Sequence, residues 1–230
     1  MEMPLNSSFL PSTILSECFL HLAPEQLEML NTKKTQLIYQ KGETLFKQGA
    51  FAPFILYIIE GLVKVYVQTG GTKQLNVNLA KTGDFLAFSS MFGNENYLYS
   101  AMALRESRVC MIEKEALKQV MISNPQFAFQ ITSRNNLIES RLLEIIKNLS
   151  YKQMRGKLAS TLCYLSSGEF LYEKAFERLS RQEIADFAGI TPESAVKYLK
   201  EFERDGILHL QGKSIHITNR EQLEWISRTG

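Results

Sequence analysis

The sequence has few of the residues from which metal clusters and disulfide frameworks are built. Among 230 residues there are only three cysteines and three histidines. Cys18, Cys110 and Cys163 are far apart along the chain, which argues against a disulfide framework and supplies no closely spaced metal-binding motif. We therefore expect packing roles for these cysteines, with a redox role for one of them as the alternative.

The sequence also lacks long hydrophobic runs and a strong charge of either sign. No segment approaches the roughly 18 or more apolar residues that cross a membrane, and the residues MEMPLNSSFL have no basic flank typical of an export signal. We expect a cytoplasmic protein without membrane contact. The net charge is +2, and residues 151–230 contain 12 Lys and Arg against 11 Asp and Glu. Any contact with nucleic acid must therefore be local.

Short apolar runs separated by turn residues predict a small antiparallel barrel or sandwich over residues 36–112. The runs include QLIYQKGETLF, FILYIIEGLVKVYV and GGTKQLNVNLAKTGDFL, with glycines between them. Two short helical segments before Asn31 are expected to cover one end of this domain. After SNPQF the apolar period becomes helical and continues for about seven turns, to Lys147 or Ser150, which predicts one long helix.

Two interleaved series of residues recur every seven positions in the long helix, as they do in a coiled-coil seam. The seam predicts a homodimer. Its residues are Ile131, Asn135, Ile138, Leu142, Ile145 and Leu149. The alternative is a single core helix beneath the β-domain, for which Leu137 and Leu143 offer a second apolar face.

The segment DFAGITPESAVKYLKEF, residues 186–202, predicts two helices that meet at a sharp turn near Gly189. We expect Thr191 to cap the second helix and Pro192 to occupy its first position. An apolar stripe formed by Ala195, Leu199 and Phe202 explains how this helix packs. The stripe leaves other faces for Glu193, Val196, Lys197 and Lys200.

The following segment, GILHLQGKSIHITN, predicts a hairpin with a two-residue turn that begins at Gly212. In that register Gln211 faces Ser214, and His209 lies beside His216 on the outer face. We expect the two histidines to be surface residues, with a metal site between the strands as the alternative. A helix-turn-helix followed by such a hairpin is a winged helix.

The β-domain, the long helix and the strings LSRQEIADFAGITPESAVKYLKEFERDGIL and GKSIHI make this chain similar to the Crp/Fnr family of bacterial transcription regulators, across nearly its whole length. The resemblance implies an α+β fold with a β-roll (jelly roll) effector domain in residues 1–124, a dimerisation helix in 125–150 and a winged helix-turn-helix in 151–230. It also implies a homodimer that binds double-stranded DNA, with RNA polymerase as a further partner.

By position, the resemblance divides the DNA contacts into two groups. Contacts to backbone phosphates, which fix register without reading sequence, fall on Ser180, Arg181, Gln182, Thr191 and Ser194. Contacts to base edges fall on Glu193, Val196 and Lys197, and we add Lys200 to the DNA-binding residues. Pro192 replaces a base-reading arginine of catabolite activator proteins, and Lys197 replaces a usual arginine. We therefore expect the chain to read a half-site of different sequence, and to discriminate less strongly at the base that Lys197 contacts.

The segment GDFLAFSSMFGNENYLYSA departs from the cyclic-nucleotide-binding members of the family. Phe88 stands where they have a glutamate, Leu98 and Tyr99 stand near the place of their Arg–Ser pair, and Leu142 and Leu143 replace the polar pair that reads adenine. Without a cation for the cyclic phosphate, we do not expect cyclic AMP to bind. Nor do we expect an iron–sulfur cluster, which needs four cysteines, or haem on the lone His21.

The residues that remain suit a pocket for a small, mostly apolar organic effector, because they combine aromatic walls with a few hydroxyl groups. The predicted pocket residues are Phe88, Ser89, Ser90, Tyr97, Tyr99, Asn135 and Leu142. The alternative is a roll that is filled by its own aromatic side chains and binds nothing.

The sequence thus predicts a sequence-specific DNA-binding regulator that acts as a homodimer on a near-palindromic site. A competing hypothesis is a small-molecule-binding regulatory module that acts through protein partners, which the balanced charge of residues 151–230 favours. Enzyme activity is not expected. No Gly-rich phosphate loop follows a predicted strand, and no nucleophile, base and orienting group can be nominated by spacing.

Overall fold

The computed structural model describes residues 17–68, 70, 73–93 and 95–230. Contacts divide the chain into two compact units. Of the described residues, those from 17 to 65 and from 79 to 139 form the first unit, and those from 66 to 78 and from 140 to 230 form the second. The predicted domain boundaries after residues 124 and 150 therefore remain predictions.

Two four-stranded sheets form the β-domain, with strand orders β1-β8-β3-β6 and β2-β7-β4-β5. The strands are β1 (Lys34–Tyr39), β2 (Thr44–Phe46), β3 (Phe54–Glu60), β4 (Leu62–Gln68), β5 (Gln74–Lys81), β6 (Phe85–Leu86), β7 (Ser100–Ala103) and β8 (Ser107–Glu113). Strands β1 and β3 both pair antiparallel with β8. The predicted antiparallel β-domain and α+β fold class are confirmed.

The core of the first unit lies between the first sheet and the helices that cover it. Strand β3 is buried along its central residues because both of its faces are covered. Its alternate residues Ile55, Tyr57 and Ile59 belong to a core cluster that also contains Phe19 and Phe127. The helical elements of this region are a 3₁₀ helix (Glu17–His21), α1 (Pro24–Thr32), α2 (Lys114–Ser123) and α3 (Pro125–Tyr151).

Helix α3 is the long helix that the apolar period predicts, and it ends at Tyr151, one residue beyond the later of the two expected ends. Helix α2 was not anticipated, although Ala116, Leu117 and Val120 follow helical spacing and are buried. No helix in the part of the chain that the structure describes is long and apolar enough to cross a membrane.

The second unit contains the predicted winged helix. Its elements are α4 (Met154–Leu165), α5 (Gly168–Leu171), α6 (Ala175–Arg178), α7 (Arg181–Ala188), α8 (Pro192–Arg204), β9 (Leu208–Gln211), β10 (Ser214–Ile217) and α9 (Arg220–Thr229). The hairpin register is confirmed, with Gln211 opposite Ser214 and His209 opposite His216. Helix α9 was not anticipated, although Asn219 caps it by accepting a hydrogen bond from the backbone N–H of Gln222 at 3.0 Å.

Gly61 offers a test of packing between β3 and β8. It has a φ of 150°, and a Cβ atom added there would overlap both the side chain and the Cα of Ser107. We expect Gly61→Ala to lower the free energy of unfolding by about 3 kcal/mol through overpacking and backbone strain. Equilibrium urea denaturation followed by circular dichroism measures the loss.

Gly42 is the matched control, since it has a φ of 88° but an added Cβ atom there would meet nothing within 4 Å. Gly42→Ala should cost only about 1 kcal/mol, from the backbone conformation alone. Equal losses for the two variants would show that the contact with Ser107 does not limit residue 61.

Candidate nucleic-acid interface

Helix α7 begins at a reciprocal cap. The Ser180 hydroxyl accepts a hydrogen bond from the backbone N–H of Glu183 at 3.1 Å, and the Glu183 carboxylate accepts one from the Ser180 backbone N–H at 2.9 Å. The helix ends at Gly189, whose φ of 62° is left-handed. The S-x-x-E spacing and the glycine thus set both ends of α7.

Helix α8 carries the predicted base-reading residues on its open face. Thr191 caps the helix by accepting a hydrogen bond from the Ser194 backbone N–H at 3.3 Å, and Pro192 occupies the first position. The stripe of Ala195, Leu199 and Phe202 is buried. The exposed positions of this helix include Glu193, Val196, Lys197 and Lys200. The structure therefore places all four residues where an external partner can reach them.

The charge at the start of α8 is also defined by local contacts. Hydrogen bonds from its own backbone N–H and then from the Thr191 side chain hold the pKa of the Glu193 carboxyl below its ordinary value. Glu193 is therefore an anion at neutral pH, and a carboxylate can accept a hydrogen bond from cytosine N4.

Side-chain bonds fix the carboxyl-terminal half of α8 to its neighbours. The Arg155 guanidinium, from α4, donates to the carboxylate of Glu201 at 2.8 Å and to that of Asp205 at 3.2 Å. Its Cζ atom lies 5.1 Å from the centre of the Phe202 ring. Glu203 accepts a hydrogen bond from the Leu210 backbone N–H at 2.8 Å. This bond joins α8 to the β9–β10 hairpin, which we call the wing.

Arg181 connects the start of α7 to the tip of the wing. Its Nη2 donates to the Gly212 carbonyl at 3.0 Å, and burial lowers the pKa of its guanidinium. Its Nη1 is buried and has no hydrogen-bond partner among the residues that the structure describes. The wing therefore orients this side chain through the Gly212 carbonyl.

The two wing histidines lie side by side and exposed, as the hairpin register predicts. His209 Nδ1 is 3.5 Å from the Glu203 carboxylate. Within the described ranges no group of three or more His, Cys, Asp or Glu could hold a metal ion.

Sequence reasoning missed a polar network beneath α7. Asp186 is 8% exposed, and it accepts hydrogen bonds from the side-chain amides of Gln74 at 2.8 Å and Gln182 at 2.7 Å. Asn76 donates to the Glu183 carbonyl at 2.9 Å. The signal was present in the alternating pattern QLNVNL, which places Gln74 and Asn76 on one face of β5.

A cavity of about 820 Å³ lies beside this network, within the second unit. Two residues predicted to contact phosphate, Gln182 and Thr191, line it together with Asp186. Lys73 and Lys157 also line it and supply positive charge. Residues that are separate in the sequence thus share one polar recess at the start of α8.

The predicted effector segment is packed with its own aromatic side chains. The rings of Phe46 and Tyr97 stack with centroids 4.1 Å apart, and the Tyr99 ring lies 5.6 Å from Phe46. The Ala87 backbone N–H donates to the Tyr99 hydroxyl at 2.6 Å, and burial raises the pKa of Tyr99 to about 12. Phe88 is 7% exposed. An effector here would have to displace rings that already contact one another.

The other predicted pocket residues are distributed among different environments. Ser90 is buried and its hydroxyl has no hydrogen-bond partner among the described residues, whereas Ser89 is exposed. The Asn135 side chain donates to the Ile131 carbonyl of its own helix at 2.8 Å, and Leu142 is 43% exposed. The effector pocket stays a prediction.

The residues present do not fit a cyclic nucleotide or a four-thiolate iron–sulfur cluster. Residues 85–99 contain no Lys, Arg or His that could pair with a cyclic phosphate. The chain has three cysteines, one fewer than the four thiolates that hold the common [2Fe–2S] and [4Fe–4S] clusters. Cys110 is buried in β8, where burial raises the pKa of its thiol to about 11, and Cys163 lies in α4. We therefore derive no step through a cyclic nucleotide or an iron–sulfur cluster.

The predicted dimer seam divides into buried and exposed residues along α3. Ile131 and Ile145 are 0% and 6% exposed and are core residues of their own chain. Leu149 is half-buried, and an added Cβ at Gly189 would meet its side chain. Leu142, Leu143 and Ile146 are exposed apolar residues close together in the second half of the helix, and we call these three the α3 ridge. The seam stays a prediction, and the Ile138 side chain lies outside the described set.

Comparison with known proteins agrees with this architecture. Residues 36–124 match the family model of the cyclic nucleotide-binding domain, and residues 156–226 match that of the Crp-like helix-turn-helix domain. The fumarate and nitrate reduction regulatory protein of Vibrio cholerae is 29% identical over 204 residues, which cover 86% of this chain and 80% of that protein.

Solved structures show the same fold at low sequence identity. FixK2 from Bradyrhizobium japonicum is 18% identical with a TM-score of 0.70, covering 86% of this chain and 98% of that one. A transcriptional regulator of the Crp/Fnr family from Eubacterium rectale is 18% identical with a TM-score of 0.73, covering 93% and 98%. The chain belongs to the Crp/Fnr family of transcription regulators, with a domain of the effector-binding type before a helix-turn-helix, and it is not an enzyme.

Proposed function

We propose that this protein is a homodimer that reads a near-palindromic DNA site with helix α8. The observation that carries the proposal is the division of α8 into a buried stripe and an open face that bears Glu193, Val196, Lys197 and Lys200. Two symmetric helices would enter major grooves about 34 Å apart, one turn of DNA.

The contacts divide by chemistry into reading and positioning roles. Glu193 can accept from cytosine N4, Lys197 can donate to guanine O6 or N7, and Val196 can contact a thymine methyl group. Arg181 and Gln182, with the hydroxyls of Ser180, Thr191 and Ser194, would hold backbone phosphates. Lysine at position 197 is a point donor without the two-donor fork of arginine, so discrimination at its base pair is weaker.

A further partner fits a surface outside α8. Leu171 and Tyr172 are 65% and 92% exposed in the segment SSGEFLYEKAFE. An exposed aliphatic and aromatic pair on a DNA-bound domain suits a protein partner such as RNA polymerase.

The sorting of contacts can be tested with two substitutions. Lys197→Ala should relax the preference at one base pair per half-site, worth about 1–3 kcal/mol, because it removes a base-edge donor. Arg181→Ala should weaken all duplexes alike and reduce the slope of log K against log salt by about 1. Selection from random duplexes and salt titrations by fluorescence anisotropy measure these effects.

Lys118→Ala is the control, because this exposed lysine lies in α2, outside the second unit. It should leave affinity and sequence preference unchanged. Identical behaviour of the Lys197 and Arg181 variants would refute the sorting. A selection with the unmodified protein that returns no inverted repeat would refute the proposed function.

Dimerisation through the α3 ridge has its own test. Leu142→Glu combined with Ile146→Glu places two charges on one face of α3, four residues apart. We expect the variant to sediment as a monomer and to bind duplex at least about tenfold more weakly, since one half-site contact is lost. Ile122→Glu is the matched control, because Ile122 is 74% exposed but lies in α2. A double variant that remains dimeric would show that the α3 ridge is not the interface.

A further inference from the structure

Asp186 is a buried carboxylate that is held by amides. Both of its oxygens accept a hydrogen bond, Oδ1 from Gln182 at 2.7 Å and Oδ2 from Gln74 at 2.8 Å. A buried carboxylate without such donors would carry a large desolvation cost. The two glutamines therefore stabilise the charge, and the charge in turn fixes the two glutamines.

The orientation of the Gln182 amide follows from the chemistry of its partner. An ionised carboxylate can only accept hydrogen bonds, so the Gln182 nitrogen, and not its oxygen, must face Asp186. An amide nitrogen carries two N–H groups, and Asp186 takes one of them. Within the described residues no acceptor takes the second, and Gln182 is exposed.

No other described residue accepts from the second N–H of Gln182, and this side chain lines the cavity where we expect phosphate. Gln182 lines the 820 Å³ cavity together with Thr191 and Pro192 at the start of α8. A phosphate oxygen that enters this recess could accept a hydrogen bond from the second N–H of the Gln182 amide. An unrestrained glutamine would present either end of its amide and would lose side-chain entropy on binding.

We propose that Asp186 is a positioning residue for DNA binding, which fixes the Gln182 amide so that its second N–H donates to a backbone phosphate. Gln74 on strand β5 completes the arrangement by occupying the other oxygen of Asp186. The inference rests on the proposed DNA-binding function and deepens it, because it names the groups that prepare one phosphate contact.

Strand β5 makes two further hydrogen bonds to helices of the second unit. Its residues 74–78 belong to the second unit and its remaining residues to the first. Asn76 bonds to the Glu183 carbonyl, and Asn78 accepts a hydrogen bond from the Tyr164 hydroxyl at 2.8 Å.

Electrostatics alone predicts the opposite result for a neutral substitution. A negative charge beside phosphate repels it, so Asp186→Asn would strengthen duplex binding if charge were the main role of this residue. The positioning role predicts weaker binding, because asparagine offers one acceptor oxygen to two amide donors and releases one of them. The sign of the change therefore discriminates between the two roles.

The experiment is a double-mutant cycle on the full-length protein with its selected duplex. Asp186→Asn and Gln74→Met are each made in the unmodified chain and in a Gln182→Ala background. In the unmodified chain each should weaken binding about five- to tenfold, the size of one net hydrogen bond. In the Gln182→Ala background each should have no further effect, because both act through Gln182.

Tyr164→Phe is the control for a merely structural role. It removes a hydrogen bond from the same strand without touching Asp186. Any effect that it has should be equal in both backgrounds. Stronger binding by Asp186→Asn, or equal losses in both backgrounds, would overturn the inference while the DNA-binding function stands. If the unmodified protein selects no duplex, both fail together. If Asp186→Asn does not fold, the same double-mutant cycle is completed with Gln74→Met and Gln182→Ala.

Discussion

The open face of helix α8 depends on the burial of the opposite side of that helix. Ala195 and Phe202 are fully buried and Leu199 is 1% exposed. Burying a leucine or phenylalanine side chain stabilises a fold by roughly 1.5–3 kcal/mol, so rotation of α8 about its axis would be costly. The buried stripe therefore determines which residues of α8 are exposed to an external partner. Arg155 and Glu203 add directional bonds to the rest of the unit and to the wing, and these bonds fix the tilt as well as the rotation.

The sequence predicts the winged helix well because its signals are local. A cap at Thr191, a proline at the first helical position and a left-handed glycine at 189 each act within one turn of chain. The wing register follows from a two-residue turn in the same way. Helix α9 was missed although Asn219 provides a local cap. That segment buries only two residues, Leu223 and Ile226, whereas α8 buries three, so its apolar period is shorter and harder to detect.

Features that depend on distant contacts were not predictable from patterns. The heptad series through Ile131 and Ile145 matches a seam, yet these two side chains are buried in their own chain. An apolar helix face can pack against its own chain or against a second copy of the chain, and the heptad period does not distinguish between the two. The alternating polar residues of β5 suggest a solvent-facing strand, but Gln74 and Asn76 bond to α7 instead. Their partners are more than one hundred residues away in the sequence, which no local rule detects.

The bond between Arg181 and the wing ends on the main-chain carbonyl of Gly212 rather than on a side chain. Every residue type carries that carbonyl, so the acceptor itself survives substitution at the wing tip as long as the turn keeps its geometry. The neighbouring Lys213 can therefore change its charge or size without removing the bond. The wing tip can thus diverge among relatives, and acquire new contacts with flanking DNA, while the arginine at the start of α7 stays oriented by an invariant atom.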